Sequence, residues 1–105
     1  MRVVWSALAK AQLFEICQYY KETGGARLSK AIRLKIFEKT KKLARFPELG
    51  QQEFNPLVAQ LKYRYLVSGN FKIIYKVMDA NKVVFIASLF DTRQNPNDLK
   101  IGLYE

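Results

Sequence analysis

The hydrophobic pattern of this chain changes its period partway along. Arg2 to Trp5, "RVVW", is β-branched and aromatic and predicts a short strand. Ser6 follows as an N-cap, its hydroxyl able to satisfy a free amide in the first helical turn. Leu8, Ala11, Phe14 (or Glu15), Cys17 and Tyr20 then keep roughly helical spacing to about Lys21. "TGG" at Thr23 to Gly25 breaks that helix, since glycine supplies the conformations a tight reversal needs. A longer helix is expected from about Ala26 to Arg45, with Leu28, Ile32, Ile36 and Leu43 as its apolar stripe, widened by Ala31, Phe37 and Ala44. Pro47 ends it by disfavouring helical geometry in Phe46.

After a loop around Asn55 to Leu57 the period falls to two. Gln60 to Ser68, Phe71 to Met78 and Lys82 to Phe90 read as three strands joined by "SGN" and "DAN" turns. The last is apolar at nearly every position, as expected of a central strand covered on both faces. The fold class is therefore α+β: an N-terminal strand and a helical hairpin packed on one face of an antiparallel sheet, in the order β-α-α-β-β-β. Residues 1–105 form one domain, long enough for a single core, with no internal repeat or linker.

Turn length decides which side chains share a sheet face. A two-residue loop, Gly69-Asn70, would put Lys72 beside Tyr65 and Val67, and Arg64 beside Ile73 and Tyr75, mixing both faces. A three-residue loop, Ser68-Gly69-Asn70, separates them. Tyr63, Tyr65, Val67, Phe71, Ile73, Tyr75 and Val77 then form an apolar face. Lys62, Arg64 and Leu66 join Lys72, Ile74 and Lys76 on the other. The second register is the one expected, and it predicts a basic stripe on the sheet surface away from the helices.

Charge sharpens this picture. Eighteen Lys and Arg residues face nine Asp and Glu, giving a formal charge of +9, and there is no histidine. Such an excess on a small domain favours a polyanionic partner, nucleic acid or an acidic protein segment. It is concentrated: Gly25 to Pro47 carries eight basic residues against Glu38 alone, whereas Glu48 onward is nearly balanced. Lys35, Lys39 and Lys42 share one helical face at spacings of four and three. Cys17 is the one cysteine, which argues against a disulfide framework or zinc cluster and for a reducing compartment. No apolar run has secretory or membrane-spanning length, so a soluble, cytoplasmic protein with no membrane partner is expected.

The absence of histidine excludes Ser-His-Asp and Cys-His arrangements and an imidazole base. No phosphate-loop or dinucleotide fingerprint occurs, and the acidic residues are too scattered for a metal or glycosidase pair. Arginine, lysine and tyrosine remain, and they suit phosphate chemistry. Arginine binds phosphate in two-pronged fashion and stabilises charge developing on it. A lysine among like charges has a lowered pKa and can act as a base. Tyrosine stacks on bases or donates a proton. RNA supplies its own 2′-hydroxyl nucleophile, so no metal or other cofactor is required. In "SLFDTRQNP" (Ser88 to Pro96) the last strand ends in a polar knot. Asn95 and Pro96 stop the strand, and Arg93 emerges from it either toward the basic stripe or back onto Asp91.

The order of elements and the phrases "YRYLVSGNFKIIYKV", "VVFIASLFDTRQNP" and "VVWSALAKAQLFEI" resemble the RelE/ParE family of bacterial toxins over nearly the whole chain. The resemblance implies the toxin of a type II toxin–antitoxin module, silenced by a cognate antitoxin. RelE-like members cleave messenger RNA in the ribosome with basic residues on the concave sheet face, whereas ParE-like members inhibit DNA gyrase. Lys72 falls where RelE-like nucleases place a basic residue after the hairpin turn, and Arg93 lies near the family's arginine at the end of the last strand. The resemblance thus implies Lys72 and Arg93 as catalytic residues if the protein cuts RNA. Lys62 and Arg64, with Lys76, would hold nucleic acid, and Tyr104 would stand for the C-terminal tyrosine of some nucleases. Members relying on a terminal histidine have no counterpart here. The target stays open between ribosome-bound mRNA and gyrase, beside a non-toxic binding module on the same fold.

Overall fold

The computed structural model describes residues 1–55 and 61–104. Strand β1 (Arg2–Trp5) is followed by helices α1 (Ala7–Gly24) and α2 (Ala26–Lys42). The chain then forms β2 (Gln51–Gln52), β3 (Arg64–Ser68), β4 (Phe71–Met78) and β5 (Val83–Asp91). The beginning of the second expected strand, Gln60, and the loop residues Pro56 and Leu57 lie outside the described residues.

The five strands make one sheet in the order β1-β5-β4-β3-β2. Its β3 to β5 portion is the expected antiparallel meander, β2 adds an unexpected antiparallel strand beside β3, and β1 joins parallel to β5, Arg2 lying opposite Val83 and Trp5 opposite Ile86. The helical hairpin between β1 and the later strands supplies the long connection that lets β1 run parallel to its neighbour. Ser6 fixes the start of α1. Its buried Oγ accepts from Ala9 N at 2.9 Å and donates to Ala87 O at 3.0 Å, so one hydroxyl caps the helix and ties it to β5.

Gly25 turns the hairpin with a φ of 91°, a region that L side chains rarely adopt. Ser29 Oγ then donates to Cys17 O at 2.7 Å and clasps α2 to α1. α1 runs to Gly24 rather than stopping near Lys21, while α2 gives way at Lys42 to tight turns over residues 43–45. There Ala44 N and Arg45 N donate three residues back, to Lys41 O and Lys42 O, as fraying helix ends do. Leu28, expected in the apolar stripe of α2, is exposed.

The expected hairpin register is corrected. Ser68 pairs with Phe71, Val67 with Lys72 and Arg64 with Tyr75, so the loop is the two-residue Gly69-Asn70. Gly69 takes a φ of 58°, which the primed turns of two-residue hairpins require. Sorting residues into one dry and one wet face failed because both faces are covered. Under the helices, Ile36, Leu43, Phe71, Ile73, Tyr75, Val84, Ile86 and Leu89 form the main core. On the opposite face Tyr63, Ile74, Val83, Phe85, Ala87 and Phe90 form a second cluster, with Leu99, Ile101 and Tyr104 of the C-terminal segment packed against it. Every residue of β5 from Val83 to Phe90 is buried, as its apolar run predicts for a strand covered on both faces.

Candidate functional site

The corrected register splits the basic stripe. Lys72 and Lys76 stay on the face covered by the C-terminal segment, in β4. Arg64 moves to the helix side, where its guanidinium donates to Gly50 O at 2.9 Å. Lys62 precedes β3, exposed and with a φ of 60°. Tyr104 meets Phe85 edge-on at 5.2 Å, and Phe85 is the cross-strand neighbour of Lys76.

Lys72 is not an isolated amine. Its Nζ lies 2.9 Å from Glu53 Oε2 and 4.3 Å from the centre of the Tyr65 ring. The Glu53 side chain is only 4% exposed, and its other oxygen accepts from Asn55 N at 2.9 Å. A nearly dry carboxylate needs a cation beside it, and a cation over a tyrosine face gains further from the ring quadrupole. Lys76 does the same with Tyr63 at 5.6 Å. Burial of Tyr63 pushes its phenol up from the ordinary value of 10.0.

Arg93 lies on the other side of the sheet. Its Nε and Nη2 donate to Asp91 Oδ1 and Oδ2 at 3.0 and 2.7 Å, and Nη2 also reaches the Tyr20 hydroxyl of α1 at 3.2 Å. The two-pronged bond holds the Asp91 carboxyl below its ordinary value of 3.8, and the carboxylate with Tyr20 raises the arginine. Of the two alternatives open for the end of β5, the fold back onto Asp91 is the one adopted. The residues picked out for catalysis, Lys72 and Arg93, thus face opposite ways, each matched to its own carboxylate. Among the described residues no group of His, Cys, Asp or Glu is placed to hold a metal.

Two features escaped the sequence reading. Glu53 sits nineteen positions before Lys72, and nothing in the local pattern marks it as its partner. A groove of about 460 Å³ also runs between α1 and α2, with Phe14 and Phe37 exposed in it and Lys10, Lys30 and Arg33 around them. Phe37, which widens the expected apolar stripe of α2, is the available hint.

A basic α+β domain with a helical hairpin packed on a five-stranded sheet is what the geometry defines. The chain belongs to the ParE toxin family of type II toxin–antitoxin systems (parDE), whose sequence model matches residues 3–96. Among solved structures it is similar to the chromosomal ParDE toxin–antitoxin system from P. aeruginosa, with a TM-score of 0.70. That match has 20% sequence identity and covers 87% of this chain and 95% of the other, a likeness of fold. A sequence search of curated proteins finds no match.

Proposed function

We propose that this chain is the toxin of a type II toxin–antitoxin module, neutralised by a cognate antitoxin, and that it arrests growth by binding and inhibiting DNA gyrase. The observation that carries the choice of gyrase over mRNA is the separation of Lys72 from Arg93 by the sheet. A nuclease needs base and phosphate ligand converging on one bond, with groups within about 3 Å of the reacting atoms. Here Lys72 is matched to Glu53 and Arg93 to Asp91, on opposite faces. On the Lys72 face, Leu99, Ile101 and Tyr104 pack over the second apolar cluster, which supports a covered rather than an open surface there.

For the antitoxin, the groove between α1 and α2 offers an apolar floor with a basic rim. An amphipathic segment with acidic flanks complements both. The deciding experiment runs purified protein in two assays, gyrase supercoiling and ribosome-dependent mRNA cleavage. Inhibition of supercoiling with intact mRNA is the expected result. Cleaved mRNA with unaffected gyrase would overturn the proposal.

A further inference from the structure

The eight basic residues between Gly25 and Pro47 do not all look the same way. Lys30 and Arg33 border the groove against α1. Lys35, Lys39 and Lys42 project from the other flank of α2, above the β3–β4 turn. With Glu38, Val67, Ser68 and Gly69 they line a hollow of about 290 Å³. All three lysines are exposed, and among the described residues the ion pairs are Lys72 with Glu53 and Arg93 with Asp91, so none of the three is matched. At spacings of four and three they stand on successive turns and repel one another. Solvent and counterions screen such a row in isolation, and an anionic surface laid across it releases those counterions.

We infer that the Lys35–Lys39–Lys42 flank, with the turn below it, docks the phosphate backbone of duplex DNA. The three positions span about 10 Å of helix axis at 1.5 Å per residue. Duplex DNA carries a charge about every 1.7 Å of its axis, so a straight row of that length meets several phosphates together. The composition of the hollow selects the kind of contact. It holds no aromatic ring, and so has no platform on which an unpaired base could stack. Its cations are lysines, which bind phosphate as point charges, and it holds no arginine, asparagine or glutamine, so contact to the backbone common to every sequence dominates. Gly69 has open space where a side chain would begin, leaving the turn low enough for a backbone to approach. Glu38 is the one opposing charge in the hollow and limits the affinity.

This deepens the gyrase reading, since the toxin would then meet an enzyme already engaged with DNA, but its test stands apart from that reading. The full chain is titrated into a fluorescent duplex of about 20 base pairs, long enough to span the row, and anisotropy is followed across KCl concentrations. Removing three lysines that each neutralise a phosphate should flatten the slope of log K against log salt by about 2.7. Between about 50 and 200 mM salt the wild type therefore loses about 40-fold more affinity than Lys35→Gln/Lys39→Gln/Lys42→Gln. A second triple, Arg27→Gln/Arg33→Gln/Lys41→Gln, removes equal charge from elsewhere on α2 and should change the slope far less. Glu38→Gln should tighten binding.

Equal losses in both triples would mean net charge alone and would overturn the inference. So would absence of DNA binding, or tighter binding of single-stranded DNA, duplex RNA or polyglutamate. Circular dichroism of each variant guards against misfolding. Supercoiling assays run beside the titration separate the two ideas. DNA binding through this flank without gyrase inhibition sinks the gyrase reading alone, and gyrase inhibition without DNA binding sinks this one alone.

Discussion

Replacing Lys72 with methionine separates a structural lysine from a catalytic one. Methionine keeps the apolar stem against Tyr65 and removes the charge, leaving Glu53 Oε2 without its partner at 2.9 Å. Breaking a fully buried ion pair from one side costs about 3–5 kcal/mol. Glu53 fits that description at 4% exposure, but Lys72 is 27% exposed, so water can enter to solvate the orphaned oxygen. The expected loss is therefore about 2–3 kcal/mol, below the fully buried range. Unfolding entropy near 60 °C is about 2.1 cal/mol/K per residue, or about 220 cal/mol/K for this length, so Tm should fall by about 9–14 °C. Calorimetry and urea denaturation followed by circular dichroism give the two measurements. Lys72→Met/Glu53→Met should recover most of the loss, since two apolar side chains replace a buried pair at little net cost. A cycle of the single and double variants should show a coupling of at least about 1 kcal/mol. The reasoning fails if Lys72→Met unfolds within about 0.5 kcal/mol of wild type, the range of ordinary surface changes. If such a stable variant also lost growth arrest, Lys72 would belong to a working site.

The remaining predictions concern other contacts. Tyr75 is fully buried and its hydroxyl accepts from Gly50 N at 2.8 Å, so Tyr75→Phe should cost about 1–3 kcal/mol by leaving that amide unpaired, measured by urea denaturation. Burial also raises the Tyr63 and Tyr75 phenols, so stability should be complete below pH 10 and decline above it as the unfolded chain ionises first. A pH titration of Tm in which Tyr75→Phe shows an undiminished alkaline decline would contradict this. Arg93 lowers Asp91, whose contribution is therefore present above the ordinary value of 3.8 and lost as pH falls through the lower folded value. Asp91→Asn should flatten the acid limb of the same titration. At Gly102 a Cβ would run into Ser6 Oγ and come within 3.0 Å of Ala87 O, so Gly102→Ala should lift the C-terminal segment. Faster amide exchange in β5 and quicker proteolysis after Lys100 are the expected readouts, and unchanged protection would show that the segment adapts.

Much of the architecture was legible in local chemistry. Ser6 as N-cap, Gly25 as the hairpin break and β5 as a doubly covered strand each follow from one residue or one short run. Their physics acts over a few neighbours, so no knowledge of the rest of the chain is required. The edges were less legible: α1 runs a turn further than its periodicity suggested, and α2 unwinds at Lys42 although no breaker occurs before Pro47. Helix ends are nearly balanced in energy, and the contacts made beyond them decide.

The hairpin register shows where local reasoning stops. Either loop length was open to "SGN", and the choice depended on which face of the sheet meets water. That depended on Leu99, Ile101 and Tyr104, which lie far along the chain and cover the second face. The candidate site follows the same rule. The residue types able to handle phosphate were visible as lysine and arginine without histidine, and so was the concentration of charge on α2. Which of them act together was not, because Glu53, Asp91 and Tyr20 claim Lys72 and Arg93 through contacts made only once the sheet has formed. The main elements, their order and the sign of the surface follow from chemistry local to the chain. Tertiary structure decided the register, the faces and the pairing of charges, because those energies depend on distances between segments that only folding brings together.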